Sequence, residues 1–518
     1  VNPRPAILDR IRTERSFDVV IIGGGATGLG SGVDAASRGY STLVLEAGDF
    51  ARSTSSRSTK LIHGGVRYLA QGNLPLVREA LAERATLLRN APHVVHRLDF
   101  LVPGRSLFEL AYYAAGLKVY DALAGSAGLG GARWVGRKQA LDRAPSLATG
   151  SLAGGVVYAD GQFDDARMAL ALMRTVEDLG AIALNHARVI EIRKEGSHVA
   201  GVIFEDVETG QRLAVGCKAL INAAGVEVDA VRSLDDPLAR PTLAPSRGTH
   251  LVLDGSFLPG RTGVMIPKTD DGRVLFAIPW QGRVLLGTTD TPVDRVEPEP
   301  TGSRAEVDYL LDHAARWFEP KPRLEDVRSV YAGLRPLVAK TASGPTSALS
   351  REHALLVSES GLVTITGGKW TTYRRMARDA VDRAIEVAGL PRVISTTQSL
   401  HLHGWVAEPG SGPLAGYGSD ASGLEALARD DPAGLALIHP DLPARRVEVT
   451  WAARHEQART VEDVLARRTR GLFLDARAAS ASAPVVAALL ARELGHAREW
   501  ELRQVADFQA LAATYWPG

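Results

Sequence analysis

The residues Gly23-Gly24-Gly25-Ala26-Thr27-Gly28 fit G-x-G-x-x-G, and Glu46 follows eighteen residues after Gly28. These types at this spacing suit an adenine dinucleotide. Gly23 permits a tight turn, Gly25 lets backbone approach a pyrophosphate, and Gly28 lets a helix pack close to its strand. Glu46 can accept hydrogen bonds from both ribose hydroxyls, and its charge would repel a 2′-phosphate, which argues against NADP. The run 51–69 then gathers hydroxyls, paired glycines, His63 and the cations Lys60 and Arg67. It is too polar and too glycine-punctuated for a regular element and reads as a loop beside the cofactor strand.

Particular elements must position these groups. Residues 17–22 are apolar and rich in β-branched types, as in a buried parallel strand. A helix is predicted over 26–38 and a second strand over 41–45. The start of that helix offers free N–H groups and a positive dipole end to phosphates. The strand-like residues 182–220 end in Asn222-Ala223-Ala224-Gly225, a second place where backbone can meet the cofactor. Residues 363–366 form a strand running into Gly367-Gly368-Lys369, and the helix that follows, to about residue 388, presents another dipole end.

Composition sets bounds. A chain of 518 residues calls for two or three domains. Hydrophobic content of 45% and charged content of 23% are those of a soluble globular protein. A formal net charge of +1 gives no overall attraction to nucleic acid or acidic membrane. The one cysteine, Cys217, excludes an internal disulfide and a cysteine zinc site, and fits a reducing compartment. Residues 1–16 hold no apolar signal core, and no apolar run approaches the ~20 residues of a membrane span. A cytoplasmic or membrane-peripheral protein is expected, with no metal and no nucleic-acid partner.

Further helices are predicted over 73–90, 107–123, 304–317 and from either Asp164 or Asp165 as cap to about 179. For the unusually apolar helix 107–123 two readings stand: a buried helix, or an interfacial one that dips into a membrane. Residues 240–366 alternate strands and turns, mostly antiparallel. Residues 389–418 read as a linker, with His401 and His403 solvated. From 424 onward the pattern is helical and includes the basic Arg467, Arg468 and Arg470, a run too short to suggest nucleic-acid binding.

The pieces Thr54-Ser55-Ser56, Ser58-Thr59-Lys60-Leu61-Ile62-His63-Gly64-Gly65 and Val66-Arg67-Tyr68-Leu69 resemble those of the FAD-dependent glycerol-3-phosphate dehydrogenases, within the D-amino-acid-oxidase-like flavoprotein superfamily. Segments at 247–250, 278–280, 286–290, 331–337, 350–353 and 367–374 match as well, so the resemblance runs from residue 17 to the end. It implies an α/β fold: a Rossmann-like FAD-binding domain of the GR2/DAO type (17–100, 150–235, 352–388) after an N-terminal extension (1–16). An interleaved antiparallel β-sheet substrate domain (101–149, 236–351), a linker (389–418) and an all-helical C-terminal domain (419–518) complete it.

The resemblance also implies the chemistry: oxidation of sn-glycerol 3-phosphate to dihydroxyacetone phosphate, with hydride passing from C2 to flavin N5 and electrons going on to a quinone. It implies peripheral attachment to the inner face of the cytoplasmic membrane and allows a homodimer. Non-covalent FAD would be contacted by Gly23, Gly25, Ala26, Thr27, Gly28, Glu46, Ala47, Thr54, Ser55, Ser56, Lys60, Leu61, His63, Gly64 and Gly65. Later contacts would be Arg188, Val189, Ala223, Ala224, Gly225, Gly368, Lys369, Thr371 and Thr372. The substrate would meet Arg67, Tyr68, Arg335, Arg351 and Lys369, with Arg335 and Lys369 also serving the reaction. His63 is the first choice of base and His250 the second.

Several cations around one flavin are costly without an anionic substrate, which favours a phosphorylated one. Members of the family usually follow the glycine of the second motif with a Pro/Val-Trp pair; here Val226-Glu227 follows Gly225. Oxygen-reducing glycerophosphate oxidases carry a sizeable insertion before the last flavin motif, whereas 33 residues separate Arg335 from Lys369, which favours a dehydrogenase. The alternatives are an oxygen-using oxidase, another oxidase of the superfamily, and a non-catalytic flavoprotein.

Overall fold

The computed structural model describes residues 4–66, 69, 72–150, 152–270, 272–339 and 353–517. Two sheets carry the fold. The first has eight strands and runs His353–Val357, Val363–Gly367, Arg212–Asn222, Ser16–Ile22, Thr42–Leu45, Ile182–Leu184. The pairings from Val363–Gly367 to Ile182–Leu184 are parallel. Val19, Val20 and Ile21 are wholly buried in its middle, as expected where both faces are covered. Helix Ala26–Ser37 packs on helix Tyr373–Val387, and a Cβ on Gly30 would meet the Tyr373 ring at 2.7 Å.

The second sheet has ten strands and is mostly antiparallel, centred on Ser246–Asp254, Arg283–Gly287, Leu275–Trp280, Thr262–Ile266, Val95–Gly104 and Gly154–Phe163. Residues 95–104 and 154–163 pair within this sheet, with Val95 opposite Phe163 and Gly104 opposite Gly154, whereas the sequence reading groups 95–100 and 154–163 with the cofactor-binding segments. Pairing along the whole strand decides the matter; the pattern of one strand cannot say which sheet it joins.

Helix Leu107–Ala124 is buried along one side and apolar along the other. Leu110, Leu117 and Tyr120 are buried, while Phe108 (83% exposed), Tyr112 (67%) and Val119 (49%) share the opposite, outward stripe. Among the described residues no helix is long and apolar enough to cross a membrane.

The N-terminal extension packs on the body of the protein. Helix Arg4–Glu14 buries Leu8 and Ile11, and Arg4 pairs with Asp206. The basic run of the C-terminal region also faces inward. Arg467 and Arg468 both bond Asp49, in the loop just after Glu46, and Arg467 reaches Asp463 at 2.8 Å. Removing such charges from water is unfavourable unless several partners answer them, and here they do. His403 departs from expectation as well. It is not solvated but lies between Asp178 (2.7 Å) and Asp420 (2.9 Å). Burial alone would lower its pKa; the two carboxylates outweigh it and raise it to about 9.

Candidate functional site

The site begins where strand Ser16–Ile22 ends. Gly23 takes φ +114°, and a Cβ there would lie 2.5 Å from the Ala223 carbonyl oxygen. A Cβ on Gly28 would come within 1.8 Å of the Gly23 carbonyl oxygen, so the helix sits as close to the turn as backbone allows. The Ala26 N–H donates to Ser55 Oγ at 2.9 Å, which ties the helix start to the polar loop. Glu46 accepts from the Gly24 N–H at 2.6 Å and the Gly48 N–H at 2.8 Å. Burial pushes its carboxyl above the usual carboxylate range. Each oxygen has a second lone pair, so ribose hydroxyls can still be received.

These residues open on a cavity of about 600 Å³. Gly23, Gly25, Ala26, Thr27, Glu46 and Ala47 line it from the first strand–helix–strand unit, and Thr54 and Ser55 from the polar loop. The Ala187 N–H donates to the Glu46 carbonyl at 2.7 Å and so brings Arg188 and Val189 to the same wall. Ala223, Ala224 and Gly225 close one side; Gly368 and Lys369 close another. The turn at Gly367 and Gly368 needs φ of +80° and +67°, which glycine takes without strain. Glu227 lines the cavity too and is exposed; partial burial raises its pKa.

The remaining predicted cofactor residues stand behind the lining. Gly28 packs the helix. Ser56 is buried, and Leu61 pairs with Gln162 in the second sheet. The Gly64 N–H donates to the Tyr120 hydroxyl at 2.8 Å. His63 and Thr371 exchange backbone and hydroxyl hydrogen bonds at 3.3 Å, which joins the polar loop to the turn Trp370–Thr372. Gly65 and Thr372 are buried beside these contacts and outside the lining. Lys60 is fully buried and pairs with Asp165 at 2.7 Å, with its pKa brought down to about 7 mainly by burial. Of the two candidate caps, Asp164 accepts the Ala166 and Arg167 N–H groups, while Asp165 is that buried ion-pair partner. Arg67, Tyr68 and Arg351 lie outside the described residues.

Two hydrogen bonds stitch the polar loop to distant segments. Thr54 Oγ1 donates to the Leu334 carbonyl at 2.6 Å, and Trp370 Nε1 donates to the Ser55 carbonyl at 2.8 Å. They bring Arg335 and Lys369 to the loop. Arg335 lies over Gly248, where a Cβ would meet its Nη2 at 2.4 Å. Its guanidinium donates to Asp290 at 3.3 Å, Thr288 Oγ1 at 3.2 Å and the Thr289 carbonyl at 3.0 Å. Pro336, the next residue, lines the cavity. Neither Asp290 nor Trp370 is a site candidate in the sequence reading, although both fall inside matched segments and Trp370 follows Lys369 directly.

The two histidines separate. His250 is buried, stacks on Tyr331 at 4.8 Å and meets Thr59 Oγ1 through Nε2 at 2.9 Å. Burial, then Lys60 and Arg335, hold its pKa well below the usual value, so it is neutral at neutral pH. His63 is half-buried, with its ring edge-on to Phe276 at 6.3 Å.

The glycine cradle, the acid at its edge and the cavity of about 600 Å³ fit an adenine dinucleotide cofactor, and comparison with known proteins agrees. The family described as FAD dependent oxidoreductase matches residues 18–374, and that described as the C-terminal domain of alpha-glycerophosphate oxidase matches 363–501. A Caenorhabditis elegans protein named probable mitochondrial glycerol-3-phosphate dehydrogenase is 40% identical, over 95% of this chain and 72% of its own. The human mitochondrial glycerol-3-phosphate dehydrogenase is 38% identical over the same shares. The crystal structure of the glycerol-3-phosphate dehydrogenase from Bacillus halodurans complexed with FAD superposes with a TM-score of 0.80 at 29% identity, covering 99% of this chain and 98% of that one.

Proposed function

Since the chain belongs to the family of FAD-dependent glycerol-3-phosphate dehydrogenases, we propose that it oxidises sn-glycerol 3-phosphate to dihydroxyacetone phosphate and hands the electrons to a quinone. One observation carries the reading best: the dinucleotide cradle, Arg335 and Lys369 are drawn to one place by the loop at Thr54 and Ser55. FAD, when bound, supplies the two-electron acceptor for the hydrogen on C2.

The chain's own residues do the rest. Gly23 to Thr27 and Glu46 hold the pyrophosphate and ribose. Arg335 offers a fork of N–H donors whose orientation Asp290, Thr288 and Thr289 fix, which suits a phosphate. Lys369, at the turn into helix Tyr373–Val387, adds a second cation for phosphate or developing oxyanion. His63 takes the proton of the C2 hydroxyl. His250 is the weaker base, because its Nε2 is engaged by Thr59 and its basicity is depressed.

The outward stripe of Phe108, Tyr112 and Val119 supports attachment to a membrane surface, with Trp134 exposed as well. The protein is thus read as peripheral to the cytoplasmic membrane. Turnover of glycerol 3-phosphate with a lipid-dissolved quinone in liposomes tests acceptor and attachment together. Quinone is expected to outpace oxygen by well over about tenfold, and Phe108→Glu to cut quinone turnover at least about threefold while leaving a soluble dye unaffected. Faster turnover with oxygen would make the protein an oxidase; parent-like quinone turnover in the variant would remove the attachment.

A further inference from the structure

The loop that faces the cofactor cavity with Thr54 and Ser55 is gripped on its other side by a buried cluster of charge. Asp165 is at the centre. Its carboxylate accepts from the Ser58 N–H at 3.0 Å, Ser58 Oγ at 2.7 Å, Lys60 Nζ at 2.7 Å and Arg470 Nη2 at 3.0 Å. Lys60 and Arg470 each also donate to the Ser56 carbonyl at 2.8 Å. All three charged side chains are at most 1% exposed. Arg470 comes from the C-terminal helical region, 414 residues beyond Ser56, where it packs over Phe473 at 4.4 Å.

The other end of the same loop reaches the substrate sheet. Tyr331 Oη donates to the Ser58 carbonyl at 3.0 Å, and Thr59 Oγ1 meets His250 at 2.9 Å. Ser56 is therefore the pivot between residues that line the cavity and residues that hold His250, and two cations clamp its carbonyl. A buried clamp of this kind is costly to assemble, since both cations give up hydration; Asp165 and the Ser56 carbonyl answer both, and Arg470 adds the Ala466 carbonyl at 2.8 Å and Asp164 at 3.7 Å. The C-terminal region also docks through Arg467 and Arg468 on Asp49, so it has anchors besides Arg470.

We propose that Arg470, acting with Asp165, is a positioning residue for oxidation of the substrate: it fixes the Ser56 carbonyl, and through it the cavity-facing hydroxyls and His250. The proposal rests on the dehydrogenase reading above. It separates chemistry from binding. The glycine turn, Glu46, Arg335 and Lys369 carry most of the ligand grip, and Arg470 acts on them through the loop, where Ser55 Oγ accepts the Ala26 N–H. Loosening the clamp should shift the loop, its cavity-facing hydroxyls and the segment that leads to His63, and so slow the chemistry more than it weakens either ligand.

The test uses the full chain loaded with FAD, mixed anaerobically with glycerol 3-phosphate. Arg470→Ala is expected to slow flavin reduction at saturating substrate by at least about tenfold, with half-saturation within about threefold of the parent and FAD content unchanged. Arg470→Lys, which can still donate to the Ser56 carbonyl, should recover to within about threefold of the parent rate. Ser58→Ala removes the hydroxyl's bonds to Asp165 and from the Lys60 N–H while leaving all three charges, and should slow reduction by about threefold or more. A parent-like rate in Arg470→Ala overturns the proposal. So does a loss that appears as released FAD or raised half-saturation, or a Lys variant no better than Ala. If the parent itself is not reduced, the dehydrogenase reading fails instead. The oxidised flavin spectrum then decides the positioning, with a displaced visible band in Arg470→Ala supporting it and an unchanged band refuting it.

Discussion

Arg335→Ala is expected to lower kcat/KM for glycerol 3-phosphate by about 10²- to 10³-fold while FAD stays bound. The guanidinium is held by three acceptors over Gly248, where no side chain competes for the space. A phosphate carries nearly two negative charges, and a charge-assisted fork to it contributes about 3–4 kcal/mol in a site shielded from water. The change also takes a partner from the buried Asp290 carboxylate, at 3.3 Å in the parent. Arg335→Lys keeps the charge but loses the fork, and should fall between. The check is kcat/KM alongside the ratio of flavin absorbance to protein. A kcat/KM within about threefold of the parent would remove Arg335 from the substrate site.

Gly28→Ala is expected to abolish FAD retention. The added Cβ would stand 1.8 Å from the Gly23 carbonyl oxygen and 3.5 Å from the Ala223 Cβ. The first of these is backbone, which cannot swing aside, so the helix or the glycine turn must move. Either movement spoils the glycine turn and helix start proposed to hold the pyrophosphate. Overpacking of this kind costs about 1–3 kcal/mol in stability, and the lost cradle adds a similar loss in binding. FAD content after gel filtration should fall below about a tenth of the parent. Gly39→Ala is the control. It sits at φ +86° with nothing near its Cβ, so it should cost about 1 kcal/mol of stability and no cofactor. Full FAD content in Gly28→Ala would mean that the cradle lies elsewhere.

What could be read from sequence was local or periodic. The glycine turn and Glu46 sit in one strand–helix–strand unit, and each glycine's role is fixed by its neighbours in that unit. Helices such as Leu74–Asn90 and Asp165–Asp178 followed from spacing and caps. The meeting of Arg335 and Lys369 with the polar loop was legible only through motif resemblance, since no period links them. Partner choice among buried charges was not legible. Asp165 and Arg470 are 305 residues apart, and nothing near either one marks the other. In sequence, Arg467, Arg468 and Arg470 have no role beyond a short basic run, because their partners Asp49, Asp463 and Asp165 are set by the tertiary fold. His403 was misjudged for the same reason: its partners, Asp178 and Asp420, come from separate segments. Helix Leu107–Ala124 was ambiguous because apolar residues lie on both sides of it. One side supplies core, and the other supplies an outward stripe.

The central claim is that this chain, loaded with FAD, takes electrons from a three-carbon alcohol phosphate. The most direct measurement is the visible flavin band after anaerobic mixing with sn-glycerol 3-phosphate, with glycerol as the parallel substrate. Prompt bleaching with the phosphate ester is predicted, with dihydroxyacetone phosphate formed in step with the flavin reduced, and none with glycerol at the same concentration. A flavin band that stays oxidised in the fully loaded protein would contradict the account.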